Sequence, residues 1–217
     1  MKAILFDFIG TTVKEKDSGV ITTCFEQAFR DNAVNIETEF LKKQRGKEKK
    51  LVIKEALLHL QLPLSLAKSI YSAFETNIEN KIDNFSENDG AVDLFAFLLN
   101  KKIKIGLGTG LSRKSFEKIC NHLRWSNNLF DYTGIANEIG KSRPYPDMIF
   151  DMMAKLGIAD TKEILKVGDT IADIQEGKNA NVRTAVILSG TQGRNELLKQ
   201  QPDFVIQSLA EIKKIIG

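Results

Sequence analysis

Lys2-Ala3-Ile4-Leu5-Phe6-Asp7-Phe8-Ile9-Gly10-Thr11-Thr12-Val13 opens the chain with a short apolar run that ends on a carboxylate and then turns. A continuous apolar run of this length, closed by a Gly-Thr-Thr turn, predicts a strand buried on both faces, as in a parallel sheet. Asp7 then stands at the carboxyl end of the strand, the edge at which open α/β sheets bind their ligands. A carboxylate in that position has the character of a phosphoryl-accepting nucleophile.

The pattern recurs at residues 103–108, 164–167 and 184–188, and more weakly at 204–206. Amphipathic segments of helical period lie between these runs, at 112–123, 146–156 and 171–180. Strands alternating with helices predict a doubly wound, Rossmann-like parallel sheet, an α/β fold. Residues 20–82 break the alternation, because they carry helical patterns and no strand signal. An all-helical stretch after the first strand is read as an inserted helical cap. The flanks at 14–19 and 84–90 are polar and turn-rich, as hinges require. The expected division is a core of residues 1–15 and 86–217 with a cap of residues 16–85.

Composition narrows the function classes. A chain that is 42% hydrophobic and 27% charged packs a core. A net charge of +3 is too small to imply nucleic acid, and no apolar stretch approaches a membrane span. Cys24 and Cys120 form neither a metal spacing nor a disulfide framework, so a reducing cytoplasm is expected. The first strand begins at once, which leaves no room for a signal peptide.

Four loops at the expected sheet edge carry polar groups: Asp7; Thr109 with Gly110; Lys141-Ser142-Arg143-Pro144; and Asp169 with Asp173. A carboxylate attacking phosphorus brings two anions together, so a cation is needed, and Mg2+ suits carboxylate and phosphate oxygens. Asp7 and Asp169 are the expected ligands, with the Ile9 backbone carbonyl as a further one. Asp173, one helical turn beyond Asp169, supports the site. Arg143 or Lys141 screens the phosphoryl charge, and Arg143 is preferred. Thr109 and the Gly110 amide donate hydrogen bonds to it, and Gly10 and Thr11 complete the phosphate cradle. Taken singly, Asp7 reads equally well as a turn residue, and Thr109 or Asp169 as a helix cap; their joint placement after successive strands favours function. Gly106-Leu107-Gly108-Thr109-Gly110 lacks the third glycine of a dinucleotide fingerprint, since position 111 is leucine. There is no Walker A loop, and His59 and His122 lack metal spacing.

Asp7-Phe8-Ile9-Gly10-Thr11-Thr12-Val13, Thr109-Gly110, Arg143-Pro144-Tyr145-Pro146 and Val167-Gly168-Asp169-Thr170-Ile171-Ala172-Asp173 together resemble the four motifs of the haloacid dehalogenase superfamily. Within it, the Gly-Thr-Thr, Arg-Pro-Tyr-Pro and Gly-Asp-Thr elements are similar to those of the phosphonoacetaldehyde hydrolases. The resemblance implies an Asp nucleophile, Mg2+, and a cap lysine that forms a Schiff base. The matching cap segment is Arg45-Gly46-Lys47-Glu48-Lys49-Lys50, and the lysine three after the glycine is Lys49. Lys49 begins an apolar helical stripe with Ile53, Ala56 and Leu60, whereas Lys50 and Lys54 face another side. A lysine in a basic run is otherwise ordinarily solvated.

Superfamily phosphatases carry an acid two residues after the nucleophile, where this chain has Ile9. Loss of a general acid costs about a hundredfold to ten-thousandfold in rate. Cleavage of a carbon–phosphorus bond needs no acid there, because an iminium accepts the released electrons. The expected function is therefore cleavage of a small phosphonate. The alternatives are a phosphatase acting on a small phosphate ester and a phosphate-binding protein on a degenerate hydrolase scaffold. Three departures from the hydrolase pattern bear on the substrate: Ile9 replaces a small residue, Val52 a histidine and Arg45 a methionine. The cap also offers a surface for a homodimer.

Overall fold

The computed structural model describes residues 1–17 and 19–217. In it β1 (Ala3–Asp7) lies at the centre of a parallel sheet. Alternate residues of β1 serve opposite layers, as a pleated strand requires. Ile4 and Phe6 join the larger apolar cluster, and Ala3 and Leu5 join the smaller one on the other face. Asp7 shares the face of Ala3 and Leu5 by the same alternation.

The chain next forms β2 (Val13–Glu15) and then four helices, α1 (Val20–Arg30), α2 (Thr38–Lys43), α3 (Lys49–His59) and α4 (Ala67–Asn80). Their apolar stripes meet one another: Phe25 of α1 stacks on Phe74 of α4 with ring centroids 4.3 Å apart. No strand falls between Val20 and Ile82 among the described residues, as the periodicity predicts. The chain returns through β3 (Phe85–Glu87), which pairs antiparallel with β2. The expected hinges are therefore not simple turns. They are two three-residue strands joined as a ribbon, with Val13 opposite Glu87 and Glu15 opposite Phe85.

The remaining elements alternate: α5 (Ala91–Asn100), β4 (Lys104–Thr109), α6 (Arg113–His122), β5 (Tyr132–Ile135), α7 (Asp147–Leu156), β6 (Ile164–Gly168), α8 (Ile171–Asn179), β7 (Arg183–Ile187), α9 (Arg194–Lys199), β8 (Phe204–Ile206) and α10 (Ile212–Ile216). The six-stranded sheet runs β5-β4-β1-β6-β7-β8 with every pairing parallel. The order reverses beside β1, so the crevice at its carboxyl end is the topological switch point. β5 is an edge strand that the apolar pattern does not mark, because Tyr-Thr-Gly-Ile is too short and too mixed.

The glycines of β4 owe their place to packing. A Cβ at Gly106 would lie 2.7 Å from the Met152 sulfur, and one at Gly108 would lie 2.5 Å from the Met148 sulfur. These glycines let α7 settle on the sheet and leave Arg143 Nη2 at 3.2 Å from the Gly108 Cβ position. Among the described residues no helix is long and apolar enough to cross a membrane.

Candidate active site

The carboxyl ends of β1, β4 and β6 bring the predicted acids together. Asp7 is the last residue of β1, and Asp169 follows β6 directly. Asp7, Asp169 and Asp173 each offer an oxygen within 4.8 Å of the others, and all three are buried. Asp169 does not cap α8. Thr170 does, in a reciprocal box with Asp173 in which the Thr170 hydroxyl lies 2.5 Å from Asp173 Oδ2. Asp169 instead accepts from the Thr191 amide at 2.7 Å, from the Thr191 hydroxyl, and from Thr11 Oγ1 at 3.2 Å. Thr11 thus gives its hydroxyl to Asp169. Gly10, at φ +99°, presses its backbone against the same carboxylate: a Cβ there would stand 2.3 Å from Asp169 Oδ2.

Arg143 reaches this cluster from the loop before α7 and is 3% exposed. Its Nη1 lies 2.5 Å from Asp7 Oδ1 and 3.2 Å from Asp173 Oδ1, and its Nε lies 3.3 Å from Glu176 Oε2. Beneath it, Lys166 Nζ lies 2.8 Å from Asp173 and 3.1 Å from Glu176. Several of these are charge contacts rather than aligned hydrogen bonds. Arg143 Nε and Nη2, Lys166 Nζ, Asp173 Oδ1 and both Glu176 oxygens make no aligned bond. Lys141, the other candidate cation, is exposed and stands 4.7 Å over the Tyr145 ring.

Charge counting explains the electrostatics. Four acids (Asp7, Asp169, Asp173, Glu176) meet three basic groups (Arg143, Lys166 and, beyond Asp7, Lys49), so acidic groups are in excess in a buried cluster. Burial raises Asp169 to about 7, Asp7 and Asp173 add to the rise, and Thr191 opposes it. Burial also raises Asp7, against Arg143 and with Asp173 adding. Asp173 moves the other way. Burial works to raise it, but Lys166 and Arg143 outweigh burial and hold it below its ordinary value. The excess of acidic groups, with three carboxylate oxygens gathered within 4.8 Å of one another, fits a hard divalent cation.

The opposite wall comes from the helical segment. Lys49 is the first residue of α3, whose N-cap Glu48 accepts from the amides of Lys50 and Leu51. Lys49 is 8% exposed, its Nζ donates to the Lys47 carbonyl at 3.0 Å, and its amide donates to the Gly110 carbonyl at 3.2 Å. Burial lowers its amine to about 8; Asp7 opposes the fall, and Arg45 and Arg143 add to it. Gly110 is the close contact, since a Cβ there would meet the Lys47 carbonyl oxygen at 2.4 Å. Arg45 is bound to Glu15 of β2 in a partly buried ion pair, and Val52 is buried among apolar residues.

Asp7, Lys49, Arg143, Thr109, Gly110, Ile9 and Arg45 line one cavity of about 30 Å³, with Phe25, Leu41 and Ile21 supplying its apolar side. Gly10 and Thr11 stand behind it and do not line it. Among the described residues Asp7 is the one carboxylate on the lining. The Thr109 hydroxyl accepts from the Leu111 amide at 3.1 Å and keeps its own proton to donate.

Lys166, Glu176 and Thr191 escape sequence reasoning. Lys166 interrupts an apolar strand and Glu176 falls on the polar side of an amphipathic helix. The one available signal is a lysine in mid-strand facing a Glu-Gly step in the next helix.

A family model for haloacid dehalogenase-like hydrolases matches residues 4–187. A phosphonoacetaldehyde hydrolase of Bacillus cereus is 27% identical over 206 residues, which cover 88% of this chain and 77% of that protein. Among solved structures, a hydrolase from Pseudomonas syringae superposes with a TM-score of 0.88 at 17% identity, covering 100% of this chain and 98% of that one. A phosphonoacetaldehyde hydrolase-like protein from Oleispira antarctica gives a TM-score of 0.85 at 19% identity, covering 99% and 91%. The four sequence motifs meet at one crevice of an α/β core, and the chain belongs to the haloacid dehalogenase-like hydrolase family.

Proposed function

We propose that this hydrolase cleaves the carbon–phosphorus bond of a small aldehyde-bearing phosphonate, with Asp7 as nucleophile and Lys49 as the imine-forming amine. The observation that carries this reading is the cavity lining: it holds Asp7 and a buried amine, and among the described residues no second acid. A phosphate ester would leave as an alkoxide with no second carboxylic acid on the cavity lining to protonate it. A phosphonate aldehyde does not have that requirement. The name of the Bacillus cereus relative is consistent with this substrate class.

The Lys49 amine condenses with the aldehyde and loses water, giving an iminium. Asp7 attacks phosphorus in line, and the carbon–phosphorus electron pair moves into the iminium to give an enamine. Protonation of the enamine and hydrolysis of the imine return the amine, and water releases phosphate from Asp7. Imine formation needs the neutral amine. At an amine pKa of about 8, roughly a tenth is neutral at pH 7, against about one part in three thousand at the ordinary value. Arg143 and Thr109, with the Gly110 amide, hold the phosphoryl oxygens. Arg143 lines the same cavity as Asp7, Thr109 and Gly110. Asp7 and Asp169, with the Ile9 carbonyl, would hold Mg2+, and Asp173 would support them. The ion's contribution when bound is to offset the charge of nucleophile and phosphoryl group.

In this reading residues 16–85 act as a cap over a core of residues 1–15 and 86–217. The β2–β3 ribbon is the tether between them. A cavity of about 30 Å³ has room for a water or two and for no phosphonate, so the cap lifts to admit substrate. Assay of phosphonoacetaldehyde beside a panel of phosphate monoesters, with Mg2+, tests the proposal. Phosphate release from the phosphonate is expected to exceed that from every ester, and faster release from an ester overturns the assignment.

A further inference from the structure

We infer that Glu176 is the positioning residue that keeps the Arg143 guanidinium aimed at the phosphoryl group, and that buried Lys166 holds Glu176 in that role. The inference rests on the reading that Arg143 binds the phosphoryl oxygens. Arg143 has three anionic neighbours: Asp7, Asp173 and Glu176. Asp7 must let go of the guanidinium when it attacks phosphorus. Asp173 is already committed to the Thr170 capping box. Glu176 alone lies against Nε, in a charge contact of 3.3 Å, and it does not line the cavity.

The fold goes to some length to place this acid. Glu176 follows Asp173 by one turn of α8, so both point to the same side. The next residue, Gly177, lets the helix lie close on the sheet, since a Cβ there would meet Thr184 Cγ2 at 2.4 Å and Lys166 Cβ at 3.2 Å. Glu176 is 0% exposed and Lys166 is 1% exposed. A buried ion pair of this kind gains little stability over an apolar pair of similar volume. Its placement at the base of Arg143 points to orientation rather than to cohesion.

The test measures inorganic phosphate affinity in the presence of Mg2+, Mg2+ affinity, and Tm, on the full chain. Arg143→Ala is expected to weaken phosphate binding about a hundredfold, the range of a charge-assisted bond. Glu176→Gln is expected to weaken it about tenfold or more, as loss of a supporting partner does, with Mg2+ affinity within about twofold. In the Arg143→Ala background the same change is expected to have no further effect on phosphate, because the group it acts on is gone. The double replacement Lys166→Met with Glu176→Met is expected to hold Tm within a few degrees and still lose phosphate affinity, and it decides the matter if Glu176→Gln does not fold. Full phosphate affinity in the Glu176 variants while Arg143→Ala is impaired overturns the inference alone, as does an equal loss in the Arg143→Ala background. Unimpaired binding by Arg143→Ala overturns the phosphoryl-binding reading beneath it.

Discussion

The two walls of the cavity are built on opposite principles. On the core side the charged groups are crowded by partners: Arg143 sits among three carboxylates, and behind the lining Asp169 accepts from Thr11 and Thr191. On the helical side the polar groups are few and one is deliberately uneasy. Lys49 is buried at the start of a helix with its amine lowered to about 8, beside an apolar patch of Phe25, Leu41 and Ile21. Under the proposed function the difference divides the labour. A rigid, ion-paired wall suits phosphoryl transfer, which needs positioning and electrostatic stabilisation. In the proposed function, a desolvated amine on the helical segment suits recognition and activation of the carbon fragment.

Replacing the nucleophile tests the core wall most severely. Asp7→Asn is expected to lower turnover by about ten-thousandfold or more for every substrate, measured as phosphate release, because no other cavity carboxylate takes over. Lys49→Met separates the walls. Phosphonate cleavage is expected to fall by about a thousandfold or more, while release from any phosphate ester changes by no more than about threefold. Equal losses on both substrates would mean that Lys49 serves the phosphoryl group and not the carbon fragment. Ile9→Asp runs the comparison in reverse. An acid supplied beside Asp7 is expected to raise ester hydrolysis about a hundredfold without raising phosphonate cleavage.

The smallest expected effect is in stability. Asp169 has its folded value raised to about 7, so between the ordinary carboxylate value and 7 the folded state binds more protons than the unfolded one. Stability of the metal-free protein from this group is therefore present at low pH and is lost as pH rises through that window. Mg2+ favours the charged form, so the rise in Tm on adding Mg2+ is expected to grow from pH 5 to pH 8, by a few degrees for a protein of this size. A Tm rise that shrinks with pH would contradict the ligand set.

The same contrast governs what the sequence reveals. Asp7, Asp169, Asp173 and Arg143 are legible because each occupies a fixed place beside a strand or helix that hydrophobic periodicity marks. The crossed strand order then gathers them without further information. Lys166 and Glu176 are not legible, because a lysine in a strand and a glutamate in a helix become a site only through the close approach that Gly177 permits. The β2–β3 ribbon escapes for another reason: Val-Lys-Glu and Phe-Ser-Glu pair through their backbones and carry no apolar alternation. Gly106 and Gly108 resemble a phosphate loop in sequence, yet their neighbours are the sulfurs of Met152 and Met148. Arg45 is anchored to the ribbon through Glu15, a partnership thirty positions away that no spacing rule reveals.

The account stands on the Lys49 amine reaching the carbonyl of a substrate whose phosphorus is at Asp7. Borohydride reduction in the presence of phosphonoacetaldehyde and Mg2+, followed by peptide mass mapping, addresses this directly. The predicted result is a stable two-carbon adduct on Lys49, with loss of activity in step with labelling. An unmodified Lys49 in protein that cleaves the phosphonate under the same conditions would contradict it.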